Sequence, residues 1–206
     1  MTTEAVGKTL ILASQSRSRR RMLEAAGLAF EVVVSNVDEP ALKRRLEESG
    51  GPADPEDIAT ALASAKAVAV SRKRPEALVI GGDQVLALGA RTFEKPPDMA
   101  AARRQLMELR GVPHLLVSSV VLAKNGQPVW QHAETAKLSM RAFSPTFLDN
   151  YLAEAGPDVC LSVGAYQLEG LGAQLFERIE GDYFTILGLP LITLLGELRA
   201  RGMIAT

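Results

Sequence analysis

The sequence predicts a mixed α/β fold in which helices flank a partly antiparallel sheet. Short apolar segments alternate with amphipathic ones in the first part of the chain, which is typical of strand–helix–strand units. The middle of the chain differs, because Asn125-Gly126 separates two long strand-like segments at 114–124 and 128–140. Asn-Gly between such segments is a strong hairpin signal, so this part of the sheet is expected to be antiparallel.

Local signals place the individual elements in order along the chain. Gly27 is a helix-ending residue, while Asp54 with Pro55, Asp98, and Ser144 before a proline are typical helix starts. Strands are therefore predicted at 9–13, 30–34, 77–80 and 91–93, before the two strands of the hairpin. Helices are predicted from Arg17 or Ser18 onward and at 40–49, 57–71, 99–109, 145–154 and 190–201.

Composition restricts the class of protein. The chain has 206 residues, 47% of them hydrophobic, which is enough for an apolar core, and we expect one domain over 1–206. A formal net charge of -1 argues against a broad nucleic-acid surface, and no segment approaches the roughly 20 apolar residues that span a membrane. We therefore expect a cytoplasmic protein that binds neither nucleic acid nor membrane.

Cysteine and histidine are scarce. The single cysteine, Cys160, excludes an internal disulfide, and two histidines provide too few ligands for a zinc site built from Cys and His. Any metal would have to be a hard cation on carboxylates.

A serine-rich loop and a block of arginines follow the first strand directly, in the segment Ser14-Gln-Ser-Arg-Ser-Arg-Arg-Arg21. A helix beginning here would point its free N–H groups and its positive dipole end at the end of the strand. Arginine is unfavourable at a helix N-terminus, so the block predicts a compensating anion such as a polyphosphate. Alternatively, the arginines form a solvated helix face.

Four further ionisable residues are candidates for a site: Glu39, Lys66, Asp83 and Lys95. Asp83 follows an apolar strand and two glycines, which would let the backbone approach a ligand closely. Glu39 and Lys95 each precede a proline, which favours an extended conformation at both positions. Each residue also has an ordinary alternative, because turn aspartates, helix-end anions and solvated lysines are frequent.

The late segment 164–172 combines Tyr166 with polar side chains and glycines. It could stack on and read a nucleobase, or it could be a tight turn with Tyr166 in the core. The chain has no Gly-x4-Gly-Lys-Ser/Thr loop, and Gly170-Leu-Gly172 lacks the rest of a dinucleotide fingerprint. These absences argue against kinases and dehydrogenases.

Together these segments resemble the Maf family of nucleoside triphosphate pyrophosphatases. The resemblance covers nearly the whole chain and implies a fold similar to that of inosine triphosphatases, with two lobes around a cleft. It implies hydrolysis between the α and β phosphates, giving a nucleoside monophosphate and pyrophosphate, and it allows a homodimer. The matching segments are Leu12-Ala-Ser-Gln-Ser-Arg-Ser-Arg-Arg20, Val37-Asp-Glu39, Ala65-Lys-Ala67, Gly82-Asp-Gln84, Lys95-Pro96, Gly164-Ala-Tyr166, Glu169-Gly-Leu-Gly172 and Gly188-Leu-Pro190.

The resemblance also implies a role for each matching residue. Asp83 would accept a proton from the attacking water, and Asp83 and Glu39 would assist a divalent cation, Mg²⁺ or Mn²⁺. Glu39, Asp83 and Lys95 are thus the predicted catalytic residues. The predicted substrate-binding residues are Ser14, Ser18, Arg19, Arg20, Lys66, Gln84 and Glu169.

The identity of the nucleobase is less well defined by the resemblance. Gln84 and Glu169 are similar to the branch of the family that acts on 7-methyl-GTP. Ser18, however, stands where that branch has Trp and the pyrimidine branch has Arg, and Arg17 replaces a usual Pro. We expect a modified or general nucleotide rather than dTTP or UTP. The alternatives are a non-catalytic nucleotide-binding regulator of septum formation and a nucleotidyl transferase.

Overall fold

The computed structural model describes residues 9–48 and 54–205, and within them seven strands form one sheet flanked by helices. The strands are β1 (Leu10–Leu12), β2 (Glu31–Val32), β3 (Leu78–Leu88), β4 (Arg91–Phe93), β5 (Pro113–Lys124), β6 (Gln127–Met140) and β7 (Phe176–Glu180). The α-helices are α1 (Arg17–Ala25), α2 (Glu39–Glu48), α3 (Pro55–Ser71), α4 (Met99–Leu109), α5 (Pro145–Ala155), α6 (Tyr183–Ile186) and α7 (Leu191–Ala200). Short 3₁₀ helices lie at Pro157–Leu161 and Leu171–Leu175.

The sheet is mixed, as the sequence predicts. Its strand order is β2-β1-β3-β5-β6-β7, and β4 pairs with β3 outside this path. β1 is parallel to both β2 and β3, whereas β3, β5, β6 and β7 pair antiparallel in succession. The predicted fold class is therefore confirmed, with the parallel part at the beginning of the chain and the hairpin in the middle.

The predicted turn and cap residues act as expected. Asn125 and Gly126 have φ angles of 50° and 73°, which suits the two-residue hairpin turn between β5 and β6. The side chains of Asp54, Asp98 and Ser144 each accept a hydrogen bond from a backbone N–H in the first turn of a helix. These caps explain why α3, α4 and α5 begin where the sequence places them.

The predicted end of the third strand is wrong. β3 continues past Ile80 to Leu88, because the apolar residues after Asp83 pair with β5 and β4. Asp83 therefore lies inside a strand, opposite Ser119, and not in a turn after it. The predicted strand 30–34 is reduced to Glu31–Val32, and β7, α6 and both 3₁₀ helices were not predicted. The predicted helix end at Ser49 lies outside the described residues.

The helices pack around two parts of the sheet. Around β1, the helices α1 and α7 cover one face and α3 covers the other; representative buried residues are Leu12, Leu23, Ile80 and Leu194 on the first face and Ile11, Ala63 and Val79 on the second. Helices α4 and α5 pack on the far part of the sheet, where Leu86, Leu106, Leu138 and Leu148 share a separate cluster. Across residues 9–48 and 54–205, no helix has the length and hydropathy needed to cross a membrane.

A gap along β3 separates these two parts. β1 pairs with β3 only at residues 78–80, and β4 pairs with the same edge of β3 only at 86–88. Between them, residues 81–85 have β5 on one side and no described strand on the other. We call this region the β3 gap. The loop after β1 ends beside it, so the gap is the place where the candidate residues can meet.

Candidate active site

Lys66 joins the two predicted carboxylates at the β3 gap. Its Nζ lies 2.9 Å from Oε1 of Glu39 and 2.6 Å from Oδ1 of Asp83. The side chains of Lys66 and Asp83 are only 9% and 11% exposed, whereas that of Glu39 is 44% exposed. The contact between Lys66 and Asp83 is therefore buried against the sheet, whereas Glu39 on α2 remains accessible to solvent. Sequence reasoning singled out all three residues, and the structure brings them together.

Arg19 reaches the same gap from the first turn of α1. Its backbone N–H donates to Oγ of Ser16, the N-cap, while its buried side chain donates through Nε to the carbonyl of Gly188 at 2.7 Å. Nη1 donates to Oγ of Ser14 at 3.2 Å. Burial lowers the pKa of Arg19, and the negative charges of Asp83 and Glu39 oppose that shift. Because both side-chain acceptors are neutral, its charge remains available to a bound anion.

The two glycines before Asp83 make these approaches possible. A Cβ at Gly81 would lie 2.1 Å from the carbonyl oxygen of Ala63 in α3, and a Cβ at Gly82 would lie 3.0 Å from Nε of Arg19. The expected close backbone approach is therefore present. Its partners in the structure are a helix backbone and an arginine, and no ligand is needed to explain the glycines.

Lys95 lies in the exposed segment between β4 and α4. Although the residue is exposed, surrounding protein atoms partly desolvate its ammonium group, which lowers its pKa, and the positive charge of Arg19 lowers it further. Glu39 and Asp83 raise the pKa, and Lys66 lowers it. The charges of all four residues therefore influence the pKa of Lys95. We refer to Arg19, Glu39, Lys66, Asp83 and Lys95 as the charged cluster.

Gln84 faces the other side of β3. Its Nε2 contacts Oγ of Ser118 at 2.9 Å and the carbonyls of Thr185 and Ile186 at 3.1 and 3.0 Å. These contacts fasten α6 to the sheet, and the same segment supplies the Gly188 carbonyl to Arg19. In the structure Gln84 and Arg19 are therefore held by one short stretch of chain.

The remaining predicted site residues are placed differently. Ser14 is buried, and its Oγ accepts hydrogen bonds from Ser16 N and Arg19 Nη1, which leaves its own hydroxyl hydrogen for another acceptor. Ser18 is half-buried, and Glu169 is exposed. Arg20 is also exposed and pairs with Glu24 at 2.7 Å. Within the described ranges, no hydrogen bond or ion pair connects Ser18, Arg20 or Glu169 to the charged cluster.

Tyr166 is a core residue, which decides between the two alternatives for its segment. The residue is 5% exposed, its ring packs edge-on against Phe176, and its hydroxyl lies 2.8 Å from Nε2 of His114. The idea that Tyr166 stacks on a nucleobase is therefore wrong. Nearby, Gln167, Leu171 and Gly172 border a pocket of about 230 Å³ that α5 completes with Tyr151, Glu154 and Ala155.

Sequence reasoning missed the residues that hold α6 and α7 against the sheet. Oγ1 of Thr185 donates to Oε2 of Glu134 at 2.7 Å, and Oγ1 of Thr193 donates to Oε1 at 2.9 Å. Glu134 lies on β6, and Ser118 on β5 donates to the Thr185 carbonyl at 2.7 Å. No local sequence pattern predicts these contacts, because each joins residues more than fifty positions apart.

The charged cluster is suited to a polyanion. Three cations and two carboxylates leave one net positive charge, and partial burial strengthens every interaction relative to bulk water. A helix N-terminus and the hydroxyl of Ser14 lie at the same place. The fold and site thus define an α/β protein with a candidate site in which cations suited to phosphate groups lie beside two carboxylates.

Comparison with known proteins identifies the family. The family described as Maf-like protein matches residues 9–201, so this chain belongs to that family. The 7-methyl-GTP pyrophosphatase of Rhizobium meliloti (strain 1021) is 53% identical over 195 residues, covering 95% of this chain and 97% of that protein. The nucleoside triphosphate pyrophosphatase of Paramagnetospirillum magneticum (strain ATCC 700264 / AMB-1) is 53% identical over 192 residues, covering 93% and 98%.

A solved structure is a more distant neighbour. The nucleoside-triphosphatase, dITP/XTP pyrophosphatase, from Mycobacterium abscessus aligns over 95% of both chains with a TM-score of 0.40 and 17% identity. At that similarity it carries no argument, and the family assignment rests on the family match and the sequence relatives.

Proposed function

We propose that this protein is a nucleoside triphosphate pyrophosphatase that hydrolyses the anhydride between the α and β phosphates. The convergence of Arg19, Lys66 and Lys95 with Asp83 and Glu39 at the β3 gap carries this proposal. Relatives that cover nearly the whole chain bear the names of such pyrophosphatases, which supports it independently.

Binding of the triphosphate falls to the cations and hydroxyls of the site. Arg19 is held by Gly188 and Ser14, so its guanidinium is already oriented before a phosphate arrives. Lys95 is more exposed and provides a further positive charge beside Arg19. Together with Ser14, these residues would orient the phosphates and neutralise charge that develops on the leaving pyrophosphate.

Asp83 is the proposed proton acceptor for the attacking water. Lys66 donates to Oδ1, which fixes the carboxylate and leaves Oδ2 for the water. β5 pairs with β3 on both sides of Asp83, so the backbone that carries the carboxylate is held in place. The reaction needs an oriented water and no covalent nucleophile, which agrees with the residues present.

The site residues also fit a divalent cation. Glu39 and Asp83 approach one common atom, Lys66 Nζ, at 2.9 and 2.6 Å, so their oxygens converge, and carboxylate oxygens are the ligands that Mg²⁺ and Mn²⁺ prefer. When bound, such an ion would supply charge neutralisation to the phosphates. We assign Glu39 and Asp83 as its protein ligands.

For the substrate, we propose a purine nucleotide such as 7-methyl-GTP. The support is the name of the Rhizobium relative and the presence of Gln84 and Glu169. Segment 164–172, beside the pocket at α5, is assigned to base recognition through its polar groups, with Tyr166 acting only as its core anchor. A homodimer and a cytoplasmic location remain predictions.

The test is a panel of triphosphates: GTP, 7-methyl-GTP, ITP, dTTP and UTP, each with Mg²⁺ and Mn²⁺. We expect equal amounts of pyrophosphate and nucleoside monophosphate, with 7-methyl-GTP giving the highest kcat/KM. Nucleotide binding without pyrophosphate release would favour the regulator of septum formation. Pyrophosphate release that requires an added acceptor would favour a nucleotidyl transferase.

A further inference from the structure

We propose that Lys66 prevents the free protein from retaining a divalent cation on Glu39 and Asp83, so that the cation and the nucleotide are retained only together. This inference rests on the proposed function and adds an order of binding to it. Lys66 is then a gate for the metal as well as a phosphate-binding residue.

Lys66 already lies between the two carboxylates in the free protein. Its ammonium group contacts one oxygen of each carboxylate, at 2.9 and 2.6 Å, and occupies the place where the two groups converge. It cannot swing away at low cost, because Lys66 is 7% exposed in the middle of α3 and both carboxylates neutralise it there. A cation that uses both carboxylates must therefore displace an existing buried ion pair.

Further positive charges act on the two carboxylates. Arg19 and Lys95 are close enough to Glu39 and Asp83 for their charges to interact, so a free divalent cation meets two further positive groups. Among the described residues there is also no group of three or more His, Cys, Asp or Glu side chains that could hold a metal. Two carboxylates already paired to a lysine make a weak site on their own.

A triphosphate removes both obstacles. Its oxygens provide the additional hard ligands that Mg²⁺ usually takes from a substrate, and its negative charge compensates Arg19 and Lys95. Lys66 can turn toward a phosphate oxygen, because an ammonium group has three donors, and this movement releases the carboxylate oxygens to the cation. Each ligand thus increases the affinity for the other, and the increase must be reciprocal.

The experiment measures Mn²⁺ binding by electron paramagnetic resonance, with and without an α,β-methylene triphosphate analogue that is not hydrolysed between those phosphates. In the wild-type protein, we expect Mn²⁺ to bind about ten-fold or more tightly with the analogue than without it. Mn²⁺ that binds to the free analogue is measured separately and subtracted. Lys66→Met should bind Mn²⁺ without the analogue about ten-fold more tightly than wild type. Lys43→Met is the matched control, because Lys43 pairs with the exposed Glu94 and not with the two carboxylates.

Each result decides the proposal. Equal Mn²⁺ affinity of wild-type protein with and without the analogue would overturn it, and so would unchanged Mn²⁺ binding by a folded Lys66→Met variant. If Lys66→Met does not fold, Lys66→Gln, which removes the charge but keeps a hydrogen-bond donor, takes its place, and unchanged Mn²⁺ binding by that variant would overturn the proposal. Neither readout requires turnover, so a protein that couples the two ligands but releases no pyrophosphate would disprove the proposed function and leave this inference standing.

Discussion

Arg19 lies against the backbone of Gly82, so that a Cβ on residue 82 would be 3.0 Å from the arginine Nε. The same Nε donates to the Gly188 carbonyl at 2.7 Å, which leaves the guanidinium little freedom to retreat. The neighbouring glycine has a different partner, because a Cβ on Gly81 would meet the backbone of α3. The missing Cβ of Gly82 therefore leaves room for Arg19 in the site, and the missing Cβ of Gly81 lets α3 pack against the sheet.

Gly82→Ala is expected to affect binding more than folding. The added methyl group must displace Arg19 by a few tenths of an ångström, and we expect the KM for the triphosphate to rise about ten-fold, since misplacement by about 1 Å can cost about 10²-fold. Gly81→Ala should instead destabilise the protein by about 3 kcal/mol or more, because the Ala63 carbonyl cannot move alone. Steady-state kinetics and thermal unfolding separate the two effects.

Gly196→Ala is the matched control for this pair. Gly196 lies inside α7 with no atom within 4 Å of an added Cβ, so it should leave KM unchanged and stabilise the helix by up to about 1 kcal/mol. A normal KM in Gly82→Ala would show that Arg19 does not depend on this contact.

Asp83→Asn should retain the fold and reduce kcat by about 10²- to 10⁴-fold, because the amide cannot accept the proton of the attacking water. Asp57→Asn makes the same chemical change on the exposed side of α3 and should keep normal turnover. Pyrophosphate release under saturating nucleotide is the measurement. Near-normal turnover in Asp83→Asn would remove Asp83 from the role of base.

Lys95 should make nucleotide binding sensitive to alkaline pH. Burial and the charge of Arg19 lower its pKa, so it loses its positive charge at a lower pH than an ordinary lysine does, and phosphate affinity falls as it does so. Lys95→Ala should raise KM with a smaller effect on kcat. Lys95→Arg keeps its charge at high pH and should move the alkaline rise in KM to higher pH. Identical pH profiles for wild type and Lys95→Arg would contradict this explanation.

His114 should make the fold sensitive to acid. Burial lowers its pKa from 6.5 to about 4, so below pH 6.5 the unfolded chain binds a proton that the folded chain does not. The contribution of neutral His114 to the free energy of unfolding is therefore fully present above about pH 6.5. It falls by about 3 kcal/mol in total as the pH decreases toward 4. Urea unfolding of His114→Gln across this range should show a smaller acid-dependent loss than wild type. An equal loss in both proteins would assign the acid sensitivity to other groups.

The sequence predicted most of the fold because local signals were strong there. The Asn125-Gly126 turn and the caps at Asp54, Asp98 and Ser144 depend on residues within a few positions, and all were confirmed. The end of β3 was misplaced because glycines usually interrupt strands. Here they are required inside a strand by α3 and Arg19, which no local pattern reveals.

The candidate site was predictable as a set of residues and not as an arrangement. Lys66 was an ordinary helical lysine by pattern, and its burial follows from the close packing of α3 against Gly81. The contact from Arg19 to Gly188 spans 169 positions, so it depends on the assembled fold. The family resemblance selected these residues, whereas the structure explains why Lys66, Asp83 and Glu39 meet.

The β3 gap is bordered by main-chain groups as well as by side chains. Leu78 N bonds to Thr9 O and Ile80 O accepts from Ala13 N, so the even-numbered residues of β3 direct their amide and carbonyl groups toward β1. At Gly82 and Gln84 no described strand continues there, and these groups face the gap. Side-chain substitutions leave these amide and carbonyl groups in place, so alanine scanning alone would not test whether they contact a ligand.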